Sequence, residues 1–487
     1  MTVESAPAFP TCSYTTSVIT AVTKIGLERL LIAALCLIAG FVMFVPPEIG
    51  IANNGDYGKL IGRFSLGPSD PTNPDEGLFY EQRWRFHPTY AWMADNYSTE
   101  VLVIGLAVSA AQAFDNKYFD IRWVGTIHAA LWIGCFASAL PLFRRLSGWR
   151  RYTVPLFLLF VVGDVSYLVQ FNSFHTDTAA CIFLAWCVVI ALRRAIGDWT
   201  SWRSLAAFLA FSVLFIGAKP QHALLGIPLY CFLLYTAAAL PQIRHKVLWI
   251  ALASALPLTA ILTIQSVPDG ERRLELFNEV FANLTVGSTT PADDLRQLGL
   301  PDDYARFQGW EAGSPNSPYL DPAVRAALTP EVHQKAALFC VRHPWRTLRI
   351  IYRGLQGPAV GRRPVFLGNY QRESGLGPRT LARSFHLFSS LRSLLFRVAP
   401  WHMVLWYTGF VAGVLLCVWR APDPAARRVA VVGLLLAVQG LLALAFATLG
   451  ESGETDRHLW IFHVITDFTI VMAVSAGLGR LGLFGVD

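Results

Sequence analysis

The strongest constraint in this chain is a succession of apolar runs, each close to the roughly 20 residues that an α-helix needs to cross about 30 Å of hydrocarbon. They fall near 30–46, 122–143, 153–170, 177–192, 204–218, 223–240, 247–265, 403–419, 429–449 and 460–479. Lipid offers no water to satisfy backbone groups, so such runs are restricted to helices that close their own hydrogen bonds. A balance of 54% hydrophobic against 15% charged residues over 487 positions agrees. The pattern predicts an all-α polytopic membrane protein with about ten transmembrane helices. A further apolar stretch, 101–114, is too short to cross comfortably and reads as interfacial or re-entrant. The chain then divides into a tail (1–29), a bundle of about seven spans (30–265) carrying a large loop at 47–121, a second large loop (266–402), and C-terminal transmembrane helices (403–487).

Charge orients this arrangement. With the N-terminal tail cytoplasmic, the short loops on that side hold Arg144, Arg145, Arg150, Arg151, Arg193, Arg194, Arg203, Arg244, Lys246, Arg420, Arg427 and Arg428 against Asp198 and Asp423. The short turns on the other side carry Lys219 and Arg457. This asymmetry follows the positive-inside rule and makes both large loops extracytoplasmic, provided 101–114 does not cross. It also accounts for a net charge of +7 without nucleic acid as a partner. The expected location is the cell inner (plasma) membrane, with the lipid bilayer as the first partner. Lys24 and Arg29 precede the first run, and Pro46, Pro47 and Glu48 follow it in place of a small-residue cleavage site, so a retained signal anchor is expected. The eight cysteines are scattered, without a CxxC pair or a Cys/His zinc spacing. P-loop, GxGxxG, GxSxG and HExxH patterns are absent in usable context, which disfavours soluble-nucleotide chemistry and serine or zinc hydrolysis. In the second large loop, "EVHQKAALFCVRHPWRTLRIIYRGL" (331–355) repeats apolar residues at helical spacing and is interrupted by Pro344. It predicts two amphipathic helices lying along the membrane surface.

The informative polar residues sit at the outer ends of the spans, in "NNGDYGK" (53–59), "QFNSFHTDT" (170–178), "KPQH" (219–222), "GRRPVFLGNYQRES" (361–374) and "ESGETDRH" (451–458). Ionisable groups at such depth are costly unless paired or used, and bundled helices would bring these ends to one cavity. Asp56 is either a turn carboxylate beside Gly55 or a general base whose proton affinity is raised by apolar surroundings. Asn54, with Asn53 and Gly55, shapes the approach to it and counts among the substrate-contacting candidates. His175 and Asp177 are either helix caps, with Asp177 at the N-cap, or groups that bind substrate hydroxyls. Metal ligation together with Asp56 is a further option, but the spacing specifies no divalent ion. Arg457 and His458 follow Glu451, Glu454 and Asp456. They form either a self-neutralised turn or a phosphate site near the lipid headgroups, where a guanidinium pairs with phosphate through its fork. Lys219, His222, Arg362, Arg363 and Arg372 are candidates for the same work.

An N-in first span, an acid soon after it, interfacial helices in the loops and a late outer loop together resemble the GT-C superfamily of integral-membrane glycosyltransferases. Protein O-mannosyltransferases and aminoarabinose lipid A transferases share this plan. "NNGDYGK", "NSFHTDT" and "VRHPWRTLRIIYRG" are similar to bacterial surface-glycan hexosyltransferases of the WsfD-like kind. The resemblance implies transfer of a hexose, with inversion, from a polyprenyl-phosphate-linked donor to an extracytoplasmic glycan, lipid or protein acceptor. It maps the first-loop acid onto Asp56 as base, and Arg457, with His458 or a loop arginine, stabilises the departing polyprenyl phosphate. Aromatics such as Tyr57, Trp84 and Trp92 either stack on sugar faces or form an interfacial belt. The sequence departs from the paired-acid form of the motif: no second carboxylate precedes Asp56, and Glu48 lies before the turn. Two rival readings remain at this point. Asp164 in "VVGDVSY" and the Gly/Pro breaks near 217–220 leave room for a lipid-linked glycan flippase or transporter. An O-antigen polymerase or ligase would use the late arginine-rich loop instead.

Overall fold

The computed structural model describes residues 26–70, 77–86, 97–146, 148–238, 242–356, 366–450 and 454–477. Among them, eight helices are long and apolar enough to cross a membrane: Leu27–Phe44, Arg122–Arg145, Thr176–Ala195, Pro220–Ala238, Ile243–Gln265, His402–Arg420, Pro424–Gly450 and Thr455–Gly477. Each follows an apolar run in the sequence, and the protein is an all-α polytopic membrane protein. The predicted span 204–218 is the 15-residue helix Trp202–Ile216.

The span expected at 153–170 departs from a single helix. It runs as Arg150–Val162, stops at Gly163 and Asp164, and resumes for one turn at Val165–Leu168. Asp164 explains the break. One carboxylate oxygen accepts from the Ser166 amide and the other from the Ser389 amide, each at 2.9 Å. Val165 N donates to Phe385 O at 2.9 Å, so part of the second large loop satisfies backbone groups that the interruption frees. Arg392, from the loop helix Leu387–Val398, lies 3.6 Å from Asp467 in the last span, and Tyr167 Oη donates to the same carboxylate at 2.5 Å.

The short stretch predicted not to cross is the 13-residue helix Glu100–Gln112, only about 20 Å long at 1.5 Å per residue. It packs on Arg122–Ala139 and Thr176–Ala195, leaving Leu102 and Leu106 exposed. Pro344 divides 331–355 as expected, into Pro330–Arg342 and Pro344–Gly354, each with proline in its first turn. Leu338, Val341, Trp345 and Leu348 recur at intervals of three or four residues and face outward, the geometry of a surface-lying pair. Their opposite side joins a core of its own: Phe339, Ala336 and Ile350 pack with Phe277, Phe281 and Leu298, apart from the core of the bundle.

The sequence pattern did not disclose a small antiparallel sheet of Leu66–Pro68, Arg83–Phe86 and Tyr118–Asp120, with Gly67 opposite Arg85 and Trp84 opposite Phe119. Its central tryptophan corrects one expectation. Trp84 and Tyr57 are each 1% exposed, their rings 5.7 Å apart, and Phe174 closes the cluster. Both are core residues rather than open platforms for sugar; Trp92 lies outside the described residues. Beside this cluster, residues 49–52 pair with 368–370. Gly50 N donates to Asn369 O, Ala52 N to Gly368 O, and the Asn369 side-chain amide to Gly50 O at 3.0 Å. Gly368 is required there because a Cβ would run into the Leu78 carbonyl.

The arginine-bearing turns gather at one end of the bundle. Arg144 grips Glu28 through two bonds of 2.5 Å, Arg145 pairs with Asp198 at 2.9 Å, and Arg428 Nε donates to Ala195 O at 2.8 Å. The described residues of the polar clusters singled out above lie at the other end.

Candidate functional site

The site begins with the turn that leaves the first span. Asn53 Oδ1 accepts from the amides of Gly55 and Tyr57 at 2.9 and 3.1 Å, while Gly55 supplies a φ of 96°. Asn54 Oδ1 accepts from Asp56 N at 3.2 Å. These bonds fix the backbone and aim the Asp56 side chain.

Both Asp56 oxygens meet cations. Lys59 Nζ lies 2.8 Å from Oδ1, and Arg457 Nη1 contacts Oδ2. Lys59 continues to Glu271 Oε1 at 2.7 Å, and Arg457 Nη2 to Glu454 Oε2 at 2.5 Å. Asn54 Nδ2 ties the ends together, donating to Glu454 Oε1 at 2.9 Å and to Asp56 Oδ2 at 3.3 Å. The result is a ribbon of two cations and three carboxylates, with Asp56 at its centre. Burial pushes the Asp56 carboxyl up, but the charges and hydrogen bonds of Arg457 and Lys59 outweigh it and hold the group well below the usual carboxylate range. This corrects the expectation of a raised proton affinity, because the pairing with cations dominates the apolar surroundings.

A second charge pair lies alongside. Lys219 Nζ sits 3.2 Å from Asp177 Oδ1, with side chains 14% and 4% exposed. Asp177 occupies the first turn of Thr176–Ala195 but is not its N-cap; that position belongs to His175, whose side chain makes no capping bond. The Asp177 carboxylate turns to Lys219, since a nearly buried charge gains more from an opposite charge than from an amide. Glu100 serves the helix end instead, its Oε2 accepting from Ala179 N at 3.1 Å. Its Oε1 is 3.0 Å from His128 Nε2, while His128 Nδ1 faces Phe171 O at 3.0 Å. A carbonyl only accepts, so Nδ1 carries a proton, and Glu100 and His128 are both fully buried.

The histidines frame both pairs. His222 is 1% exposed and stacks on Phe215, and among the described residues neither ring nitrogen has a hydrogen-bond partner. His458 Nδ1 meets Gln221 Oε1 at 2.7 Å and Gln221 Nε2 donates to His458 O at 3.3 Å, joining the Lys219 turn to the Arg457 turn. His175 packs edge-on to Tyr57 at 4.8 Å. Burial first, then the charge of Arg457, drives its pKa down from 6.5 to about 4, against opposing pulls from Asp56 and Asp177 and with a small assisting push from Lys219. Between those two values the unfolded chain binds the extra proton and the folded one does not. Folding stability is therefore expected to fall as pH drops from about 6.5 toward about 4. Thermal unfolding across that range tests this: His175→Asn flattens the slope, and an unchanged slope in the variant removes His175 as its source.

Asn54, Asp56, His175, Asp177, Lys219, His222, Arg457 and His458 thus gather at one end of the bundle. Arg372 does not join the Asp56 ribbon; its guanidinium lies over the Phe79 ring, 5.6 Å from the centroid. Arg362, Arg363 and Glu451 lie outside the described residues. Lys59, Glu271, Gln221 and Glu100 were not singled out from the sequence, and Glu454 had been read only as part of a surface turn. Two of them had a readable signal, since Lys59 is three residues from Asp56 and Glu454 three from Arg457, the spacing of neighbours on one helical turn. Glu271 had none. Among the described residues, no three His, Cys, Asp or Glu side chains gather as a metal site. The arrangement offers a carboxylate positioned against two cations, with a third cation nearby on the Asp177 pair.

A family model described as the YfdI N-terminal transmembrane domain matches residues 15–484. Comparison with individual curated proteins and with solved structures gives no match.

Proposed function

The chain belongs to the YfdI N-terminal transmembrane domain family, and from that premise we propose that it is a membrane glycosyltransferase. It moves a hexose from a polyprenyl-phosphate-linked donor to an extracytoplasmic glycan, lipid or protein acceptor, with inversion. The observation that carries this reading is the direct contact of Asp56 with Arg457, 401 residues away, where the polar span ends converge. The resemblance of short motifs to WsfD-like hexosyltransferases supports it, because those motifs include both Asp56 and the His175–Asp177 turn.

In this mechanism the acceptor hydroxyl attacks the anomeric carbon in a single displacement. Its proton passes to the Asp56 carboxylate. The bond from that carbon to the phosphate oxygen breaks, and its electron pair leaves with the phosphate. Arg457 takes up the negative charge that develops there, with His458 close by and Lys219, paired to Asp177, on the neighbouring turn. Of the two features that left room for a carrier, Asp164 has both carboxylate oxygens on backbone amides, those of Ser166 and Ser389.

The test is discharge of donor. Purified protein in proteoliposomes, supplied with a panel of polyprenyl-phosphate hexoses and cell-envelope acceptor, should release free polyprenyl phosphate and label the acceptor. Arg457→Ala should slow this by about 10²-fold or more. Movement of intact donor between leaflets without cleavage of the sugar–phosphate bond would show a carrier and sink the proposal.

A further inference from the structure

Arg457 is shared by two carboxylates that differ in how they are held. Glu454 is three residues away on the same turn, contacts Nη2 at 2.5 Å, and is fixed from behind by Asn54 Nδ2 at 2.9 Å. Sharing a turn with Arg457, it moves with it, while Asn54 Nδ2, which also donates to Asp56 Oδ2 at 3.3 Å, links it back to the Asp56 turn. Asp56 contacts Nη1 from the far end of the chain, and Lys59 holds its other oxygen at 2.8 Å. The Asp56–Arg457 contact can open while Asp56 stays aimed by Lys59 and Arg457 stays anchored by Glu454. Arg457 Nε is also buried, with no hydrogen-bond partner among the described residues. The guanidinium thus has donor capacity beyond its two carboxylates.

We propose that Arg457 is an exchange point: the donor's phosphate displaces Asp56 from it, so the base is freed only once donor is bound. This rests on the glycosyltransferase reading and adds an order of events to it, donor before acceptor chemistry. The charges support the exchange. A sugar phosphodiester carries about one negative charge, and the monoester it leaves behind carries about 1.5 to 2. In the same step Asp56 gains the acceptor's proton and becomes neutral. Negative charge therefore disappears on one side of Arg457 as it grows on the other, and the guanidinium follows it. Lys59 keeps Asp56 in place throughout, itself balanced by Glu271 at 2.7 Å.

The experiment titrates farnesyl phosphate, with farnesol as the uncharged control, into the purified full chain in neutral detergent by calorimetry. Asp56→Asn should bind farnesyl phosphate about ten- to a hundredfold tighter than wild type, the size expected when a charge-assisted bond no longer competes. Arg457→Ala should lose the preference for phosphate over farnesol. Equal or weaker binding by Asp56→Asn, with Arg457→Ala still impaired, overturns the exchange and leaves Arg457 as a phosphate residue. An unimpaired Arg457→Ala, or a wild type that does not distinguish the two probes, overturns the phosphate role and the exchange with it. A measurement on wild type covers the case in which Asp56→Asn does not fold. Carbodiimide labelling of Asp56, read by peptide mass, should rise at least severalfold with farnesyl phosphate; unchanged or lower labelling overturns the exchange.

Discussion

Asp56→Asn is expected to leave a folded protein that transfers sugar about 10²–10⁴-fold more slowly, the usual loss when a general base is removed. The substitution keeps the shape of the side chain and its backbone bond to Asn54. It also converts a ribbon of two cations and three acids into one of two and two, with Lys59 still on Glu271 and Arg457 still on Glu454. No charge is stranded, so loss of folding is not the expected route to loss of activity. Initial rates in proteoliposomes, with thermal unfolding of the same preparation, separate the two effects. A rate near wild type would remove Asp56 from the chemistry. A slow rate with an intact melting transition would place the defect in the transfer reaction and not in folding.

Lys219→Met should act in the opposite way, on stability first. Asp177 is 4% exposed and Lys219 is its ion-pair partner at 3.2 Å. Taking away the ammonium strands a carboxylate inside the bundle, a change that typically costs about 3–5 kcal/mol. Methionine retains most of the volume, which keeps cavity effects small. The double variant Lys219→Met, Asp177→Asn removes the stranded charge along with its partner and should recover most of the loss. Thermal unfolding of the two singles and the double forms a cycle that measures the coupling. A single Lys219→Met variant as stable as wild type would mean that Asp177 does not depend on Lys219.

These two sites mark where the sequence was informative. The span ends that hold Asp56, Asp177, Lys219 and Arg457 were legible because a charge beside a long apolar run is conspicuous, and run length together with the arginine bias constrains which ends can share a face. Pro344 likewise divided one amphipathic stretch into two helices. The partners were harder to read. No second carboxylate lies just before Asp56; Glu454, from the other end of the chain, joins the same ion-pair ribbon, and Asn54, read as a shaping residue, is the bridge to it. The proton affinity of Asp56 was misjudged for the same reason, since its sign depends on cations that only the folded arrangement brings close. The break at Asp164 was invisible because its cause, docking of residues 385–389, lies more than two hundred positions away in sequence. Trp84 looked like a binding platform because nothing local announced the three-stranded sheet that buries it.

The Asn369–Gly50 and Asp56–Arg457 contacts span 319 and 401 positions, so the site is also an event in time. The Asp56 turn emerges early in synthesis, while the partners that complete it belong to the last tenth of the chain. Until the final span is inserted, Asp56 has Lys59 and Asn54 beside it, and Lys59 has Glu271, but Arg457 is absent. A ribosome that stops before residue 454 leaves an inserted bundle in which the Asp56 ribbon lacks its Arg457–Glu454 half.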